Sequence, residues 1–253
     1  MTAAVIITVA GGVVLGADSR SSICDDTPRG RRVLATHDGA EKLVTWGRTL
    51  GAVCVGAGSI GGLPLGALVR AALDRSQVRA GPEAACWALS ARCARELAEP
   101  ALPAHNARPS FSVLVAGYGG DDRLATCWRL ECAAGVLAPP SRESARLVWA
   151  GDGAEPIARL VQGHAAQAAA ALGAAGLDAD QVRLALRRIA DRCAWDPVHP
   201  ELPLADAADL ARSLLRTCAD VARFAPTTGT VGGRLVVRTL QWGQAAGGKP
   251  KAR

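Results

Sequence analysis

The chain is nearly without lysine. Of its 253 residues 29 are lysine or arginine, yet lysine stands only at Lys42, Lys249 and Lys251, and the last two belong to the tail. The body of the chain thus uses arginine at every basic position but one. Arginine keeps its proton in any protein setting, whereas lysine can shift its pKa and join proton transfer. That contrast marks Lys42 for chemistry. Aromatic residues are also scarce, at 4% with one Tyr and two Phe, too few to stack bases along a strand of nucleic acid. The arginines are scattered mostly singly, so the formal charge of +6 does not point to a nucleic-acid partner. No apolar run is long and unbroken enough to span a bilayer, and no basic segment leads into an apolar one at the start. The expectation is a cytoplasmic protein with no membrane partner. The eight cysteines include no Cys-x-x-Cys pair and have no neighbouring histidine in sequence, so neither a metal nor an organic cofactor is expected. They read as reduced, small core residues. A P-loop is missing too, so any ATP dependence has to come from a partner.

What is present is a chain of 49% apolar residues with charges of both signs throughout, the composition of a globular protein. Residues 3–9 and 13–17 are two nearly continuous apolar runs around Gly11-Gly12, a hairpin signal with both strand faces covered. Residues 21–40 are largely polar and read as a long loop. Strand-like runs return at 43–46 and 51–55. A glycine-rich turn at 56–62 then opens a helix through about 73, and a second helix spans 82–97, apolar at Ala85, Leu89 and Cys93. After a linker at 100–109 come strands at 110–118 and 123–131, joined by a turn at 119–122, and another strand at 146–150. Helices are predicted over 154–172, 178–194 and 204–224, and a last strand over 234–242. Strands and helices segregated in this way, with several hairpins, predict an α+β protein. Two antiparallel sheets packed together between helix layers, a four-layer αββα sandwich, would bury all of these faces. Residues 2–243 form one domain on this reading, and 244–253 a flexible basic tail.

Thr2 follows the initiator methionine. Once Met1 is trimmed, Thr2 offers a hydroxyl nucleophile and a free α-amine whose reference pKa is about 8, close enough to neutrality to accept a proton. The frame continues with Gly11-Gly12-Val13-Val14-Leu15-Gly16-Ala17-Asp18-Ser19-Arg20, then Glu41-Lys42, then residues 51–58. In this order and spacing the sequence resembles the proteasome β-subunits and the bacterial HslV peptidase, which are N-terminal nucleophile (Ntn) hydrolases. The resemblance is densest over residues 2–62 and returns at 148–153 and 230–233.

The resemblance implies a threonine endopeptidase. Thr2 Oγ would attack the scissile carbonyl, assisted by its own amine. Lys42, held charged by Asp18, would lower the cost of deprotonating Thr2. The backbone N–H of Gly56 would stabilise the oxyanion. Ser21, Ala40, Cys54 and Gly58 would line the pocket for the residue before the scissile bond; all are small and uncharged, which favours an apolar side chain. The implied partners are peptide or unfolded protein as substrate, further copies of the chain in a ring homo-oligomer, and an ATPase unfoldase. Departures are also visible. The segment between Asp18 and Lys42 is several residues longer than in that family. Asp152 stands where the family carries a serine near the N-terminal amine, which it would anchor. Thr228-Gly229-Thr230-Val231 replaces an Asp-x-x-Ser, and the helix at 178–194 looks like an addition.

Three other readings compete. Gly56-Ala57-Gly58-Ser59-Ile60-Gly61 matches a dinucleotide fingerprint formally, but needs a parallel strand ending in an acid some 20 residues on. The same stretch is a loosened nucleophile elbow, with His164 or His199 as base. The third is a catalytically silent subunit that only assembles or binds partners.

Overall fold

The first strands carry apolar residues on both faces, and the computed structural model of the chain shows what covers each. It describes residues 2–27, 30–98, 108–120, 122–163, 165–193, 195–225 and 231–242; the tail assigned to 244–253 lies outside them. Strands β1 (Ala4–Val9) and β2 (Gly12–Asp18) form an antiparallel hairpin. Successive strand residues point to opposite faces. Val5, Ile7 and Val9 therefore join one apolar cluster, while Ala4 and Ile6 join another. Helices α4 (Glu155–Gln162) and α7 (Leu204–Phe224) complete the first cluster through Ile157, Ala211, Leu214 and Leu215. The second is completed by Val53, Val55, Leu114 and Ala116, which belong to a different sheet. Ile6 and Ile7 are fully buried, and each contributes about 1.5–3 kcal/mol by leaving water.

The first sheet has the order β13 (Leu147–Ala150), β1, β2, β14 (Leu235–Leu240). The second runs β11 (Val136–Leu137), β10 (Thr126–Ala133), β9 (Phe111–Gly117), β6 (Leu50–Gly56), β5 (Leu43–Trp46), with β12 (Ser141–Glu143) paired to β10. All pairings in both sheets are antiparallel. The outer face of the second sheet is covered by α1 (Leu65–Ala72) and α3 (Pro82–Ala98), whose Leu68, Val69, Ala85 and Leu89 meet Ala52, Val113, Val115 and Leu130. The protein is thus a mixed α+β structure with antiparallel sheets. Among the described residues no helix is long and apolar enough to cross a membrane.

Several elements differ from the sequence expectation. The polar segment expected as a loop is a hairpin of β3 (Arg20–Thr27) and β4 (Gly30–Asp38), bulged at Leu34. Among the described residues its strands pair with each other and with no other strand. Neither strand carries the alternating apolar residues that mark a strand in sequence. The stretch after Gly56 first makes a small hairpin, β7 (Ser59–Ile60) with β8 (Leu63–Pro64), before α1 begins. An unexpected short helix, α2 (Arg75–Ala80), is started by a capping box in which Asp74 accepts the N–H groups of Ser76 and Gln77 and the Gln77 side chain accepts that of Asp74. The single helix expected over 154–172 is two, α4 and α5 (Ala165–Ala174), parted at Gly163. Helix α6 (Ala179–Cys193) follows, packed on α5.

Candidate active site

Hairpin register decides where Thr2 and Asp18 meet. With Ala4 opposite Ala17, Asp18 at the end of β2 lies beside Ala3, and the two exchange hydrogen bonds: the Asp18 N–H donates to the Ala3 carbonyl, and the Ala3 N–H to Asp18 Oδ1 at 3.1 Å. Thr2 is the residue before, 4% exposed. Its carbonyl accepts the Gly153 N–H at 3.0 Å. The approach is close: a Cβ on Gly151, whose φ is +96°, would lie 2.0 Å from that carbonyl. Gly151 is thus required both by its left-handed backbone and by the seat of Thr2. Gly151→Ala is expected to cost about 2–3 kcal/mol, read as a lower urea midpoint at unchanged m-value.

The Asp18 carboxylate is fully buried and every partner it has is a donor. Lys42 Nζ donates to Oδ1 at 2.8 Å, while Oδ2 accepts the N–H of Gly232 at 3.1 Å and of Arg20 at 3.3 Å. Lys42 comes just before β5, and its carbonyl accepts the Cys54 N–H from β6 at 2.7 Å. Its side chain is only 10% exposed. Burial lowers its pKa below the ordinary 10.5, and this outweighs the raising effect of the Asp18 charge and hydrogen bond. The lysine expected to be simply held charged by Asp18 therefore sits between two opposed influences.

Gly56 closes β6 with φ +92°, and a Cβ there would lie 2.5 Å from the Ser110 carbonyl. Thr2, Lys42, Gly56 and Asp152 all line one cavity of about 1240 Å³. So do Ser21, Ala40, Cys54 and Gly58. Asp18 stands behind Lys42, out of the cavity wall. Asp152 opens a 3-10 turn (Asp152–Ala154) after β13 and is exposed. Of the segment 228–231, only Val231 lies within the described residues; it is buried in the cluster under α7.

Sequence reasoning missed the far wall. It is made by the start of β9 and the end of β10, with Arg108, Ser112, Arg129 and Glu131. The cavity is therefore not lined by small uncharged side chains alone. The available signal was the alternation of Arg129 and Glu131 between buried Cys127, Leu130 and Cys132. Cys54, Cys86, Cys93, Cys127, Cys132 and Cys218 are buried, and these six and the partly buried Cys24 are free thiols. Burial pushes the thiols of Cys54, Cys86, Cys93, Cys127 and Cys218 up to about 12, which leaves them protonated and unreactive at neutral pH. No group of His, Cys, Asp and Glu among the described residues could hold a metal ion.

Two competing readings lose their context here. β6 pairs antiparallel with both neighbours, so Gly56–Gly61 does not follow the parallel strand a dinucleotide site requires. Ser59 lies in the small β7–β8 hairpin rather than at a strand-to-helix elbow. His199 is exposed, accepting the Glu201 N–H on Nδ1, and His164 lies outside the described residues.

No protein-family model and no curated protein matches the chain. Solved structures do. An Anbu (Gly-1) mutant from Hyphomicrobium sp. strain MC1 matches over 95% of this chain and 82% of that one, at 12% identity and a TM-score of 0.51. The Anbu complex from Pseudomonas aeruginosa, described as a helical assembly, matches over 94% and 81%, at 16% identity and a TM-score of 0.50. The chain shares the fold of Anbu. A third structure is titled Anbu (ancestral beta-subunit), from Yersinia bercovieri, at 13% identity and a TM-score of 0.48. At such identities the likeness concerns the fold alone. It also corrects the resemblance drawn from sequence: these structural neighbours are Anbu proteins, and nothing in them supports assignment to the HslV type. The short motifs that suggested it, glycine turns and an Asp-Ser-Arg segment, mark backbone and ion-pair requirements of the hairpin and do not separate one branch of such a fold from another.

Proposed function

We propose that the chain is a threonine-type endopeptidase, with Thr2 as its nucleophile once Met1 has been removed, working within a proteasome-like oligomer. The observation that carries this reading is the convergence of Thr2, Gly56 and the Lys42 that rests on buried Asp18 upon one large cavity. Thr2 Oγ attacks the peptide carbonyl and its proton passes to the Thr2 α-amine. The Lys42 ammonium lowers the cost of the developing alkoxide, and the Gly56 N–H receives the oxyanion. The amine then protonates the leaving amide nitrogen, an ester to Thr2 remains, and water hydrolyses it. Asp152, next to the Gly151 that touches the Thr2 carbonyl, anchors the amine.

On this reading residues 2–243 form a single domain, and the three apolar clusters correspond to the three interfaces of a four-layer αββα sandwich of the Ntn type. The particle is cytoplasmic and built from further copies of the chain in a ring, with unfolded protein delivered by an ATPase partner. The second reading, a silent subunit, draws on the exposed carboxylate of Asp152 where a neutral residue was expected. Intact-protein mass spectrometry before and after a threonine-directed epoxyketone separates the two. Loss of Met1 and one adduct, mapped to Thr2, is expected. A retained Met1, or folded protein that takes no adduct, leaves the silent subunit.

A further inference from the structure

Most charges that line the cavity are already neutralised. Arg129 is paired with Glu143, Glu41 with Arg70, Glu96 with Arg92, Lys42 with Asp18, and Arg20 with Asp38. Asp152, Glu131 and Arg108 line the same cavity and have no partner among the described residues. Of these, Asp152 is beside Thr2, since Gly151 touches the Thr2 carbonyl. Glu131 is placed by strand register. Ser112 pairs with Val55 on one side and with Glu131 on the other, and Val55 packs against Gly151. Val55, Ser112 and Glu131 thus form one cross-strand row leading away from Thr2. Arg108 lies further along the wall, its side-chain stem over Gly135.

We propose that Glu131 is a specificity residue that binds a cationic side chain of the substrate, an inference that rests on the peptidase reading of this cavity. Two strand spacings of about 4.8 Å separate Val55 from Glu131, and an extended peptide advances about 3.3 Å per residue, which puts the cation roughly two or three residues from the scissile bond. An exposed carboxylate in a concave, partly dry wall attracts a cation more strongly than one on a convex surface. The small uncharged residues near Thr2 then accept the side chain at the scissile bond, and the charge selection comes from the next strands.

The test uses fluorescent peptides of one neutral sequence. A single Lys, Glu or norleucine is placed at each position within three residues of the scissile bond. Binding is measured by anisotropy on full-length Thr2→Ala protein, and turnover on wild type. At one position the Lys peptide is expected to bind about five- to twentyfold tighter than the norleucine peptide, by the usual strength of a charged contact in a cleft, and this preference shrinks with added salt. Glu131→Gln removes the preference and Glu131→Lys transfers it to the Glu peptide. Because Glu131 is exposed, both variants are expected to melt like wild type. Equal binding of all three peptides, absence of binding, or a Lys preference that survives Glu131→Gln overturns the inference. Preference without turnover or epoxyketone adduct instead removes the peptidase reading and leaves the cation site in place.

Discussion

Thr2→Ala is expected to fold as wild type and to hydrolyse peptides at least roughly a thousandfold more slowly, the usual consequence of deleting a nucleophile. The substitution removes a hydroxyl and a methyl from a residue that is 4% exposed, and the stability cost is expected to stay near 1 kcal/mol. The backbone contacts that seat the residue, the Gly153 N–H to its carbonyl and the Ala3 N–H to Asp18, are untouched. Thr2→Ser keeps both the hydroxyl and the α-amine and is expected to retain adduct formation. Thr2→Val keeps the shape without the hydroxyl and is expected to behave like Thr2→Ala. Rates from a fluorogenic peptide, set beside thermal melts of the same samples, check this. Full activity in Thr2→Ala moves the nucleophile elsewhere on the cavity wall; Ser59 is the first place to look, since it lines the cavity and is exposed.

How much of this was legible in the sequence follows from which residues answer to a single physical demand. The β1–β2 hairpin was legible because both its faces are buried, so its two apolar runs are nearly unbroken. Helix α7 was legible because one face meets β1 and β2 and the other meets water, which sets a clean stripe at Leu210, Leu214, Cys218 and Val221; Val221 at its end is nonetheless half exposed. The β3–β4 arm was not, because neither strand carries the alternating apolar residues that mark a strand in sequence. Its base is fixed by side chains instead: Arg20 holds Asp38 in a two-pronged ion pair and its guanidinium lies over Gly232. No sequence pattern announces such a clamp. The break between α4 and α5 rests on one glycine that a continuous alanine-rich run conceals.

The candidate site divides in the same way. Lys42 stood out as the lone lysine of the body, Asp18 was implied by the family resemblance, and the structure puts the two in contact. Their order in the chain follows from the fold, because Asp18 ends one sheet's strand and Lys42 precedes the other sheet's edge strand. The far wall with Glu131 depends on pairing among β6, β9 and β10, which bridges residues 55, 112 and 131. Pairings that distant leave no local trace in a sequence.

The second large effect is expected at Asp18. Asp18→Asn exchanges a buried carboxylate for a neutral amide, while Lys42 remains 10% exposed with its charge uncompensated. Breaking one side of a buried pair costs about 3–5 kcal/mol, which for a chain of this size lowers the melting temperature by roughly 6–20 °C. The sign of the pH dependence follows from the opposed influences on the lysine. Burial lowers its pKa and Asp18 raises it; without the carboxylate, burial acts alone and the pKa falls further. A folded-state pKa below the unfolded one means that the unfolded chain binds more protons between the two values, so stability rises with pH through that window. In Asp18→Asn the window extends to lower pH. The deficit against wild type is therefore largest in neutral and mildly acidic solution and shrinks as pH climbs toward the ordinary lysine value of 10.5. The near-absence of lysine makes this directly observable. Protein labelled with carbon-13 at lysine Cε gives three signals, from Lys42, Lys249 and Lys251, and Lys42→Arg assigns the one of interest. The Lys42 signal is expected to titrate below the other two in wild type and lower still in Asp18→Asn. A Lys42 that titrates with the tail lysines in both proteins would show that the ion pair is open to solvent, and the electrostatic part of the mechanism proposed for Thr2 would go with it.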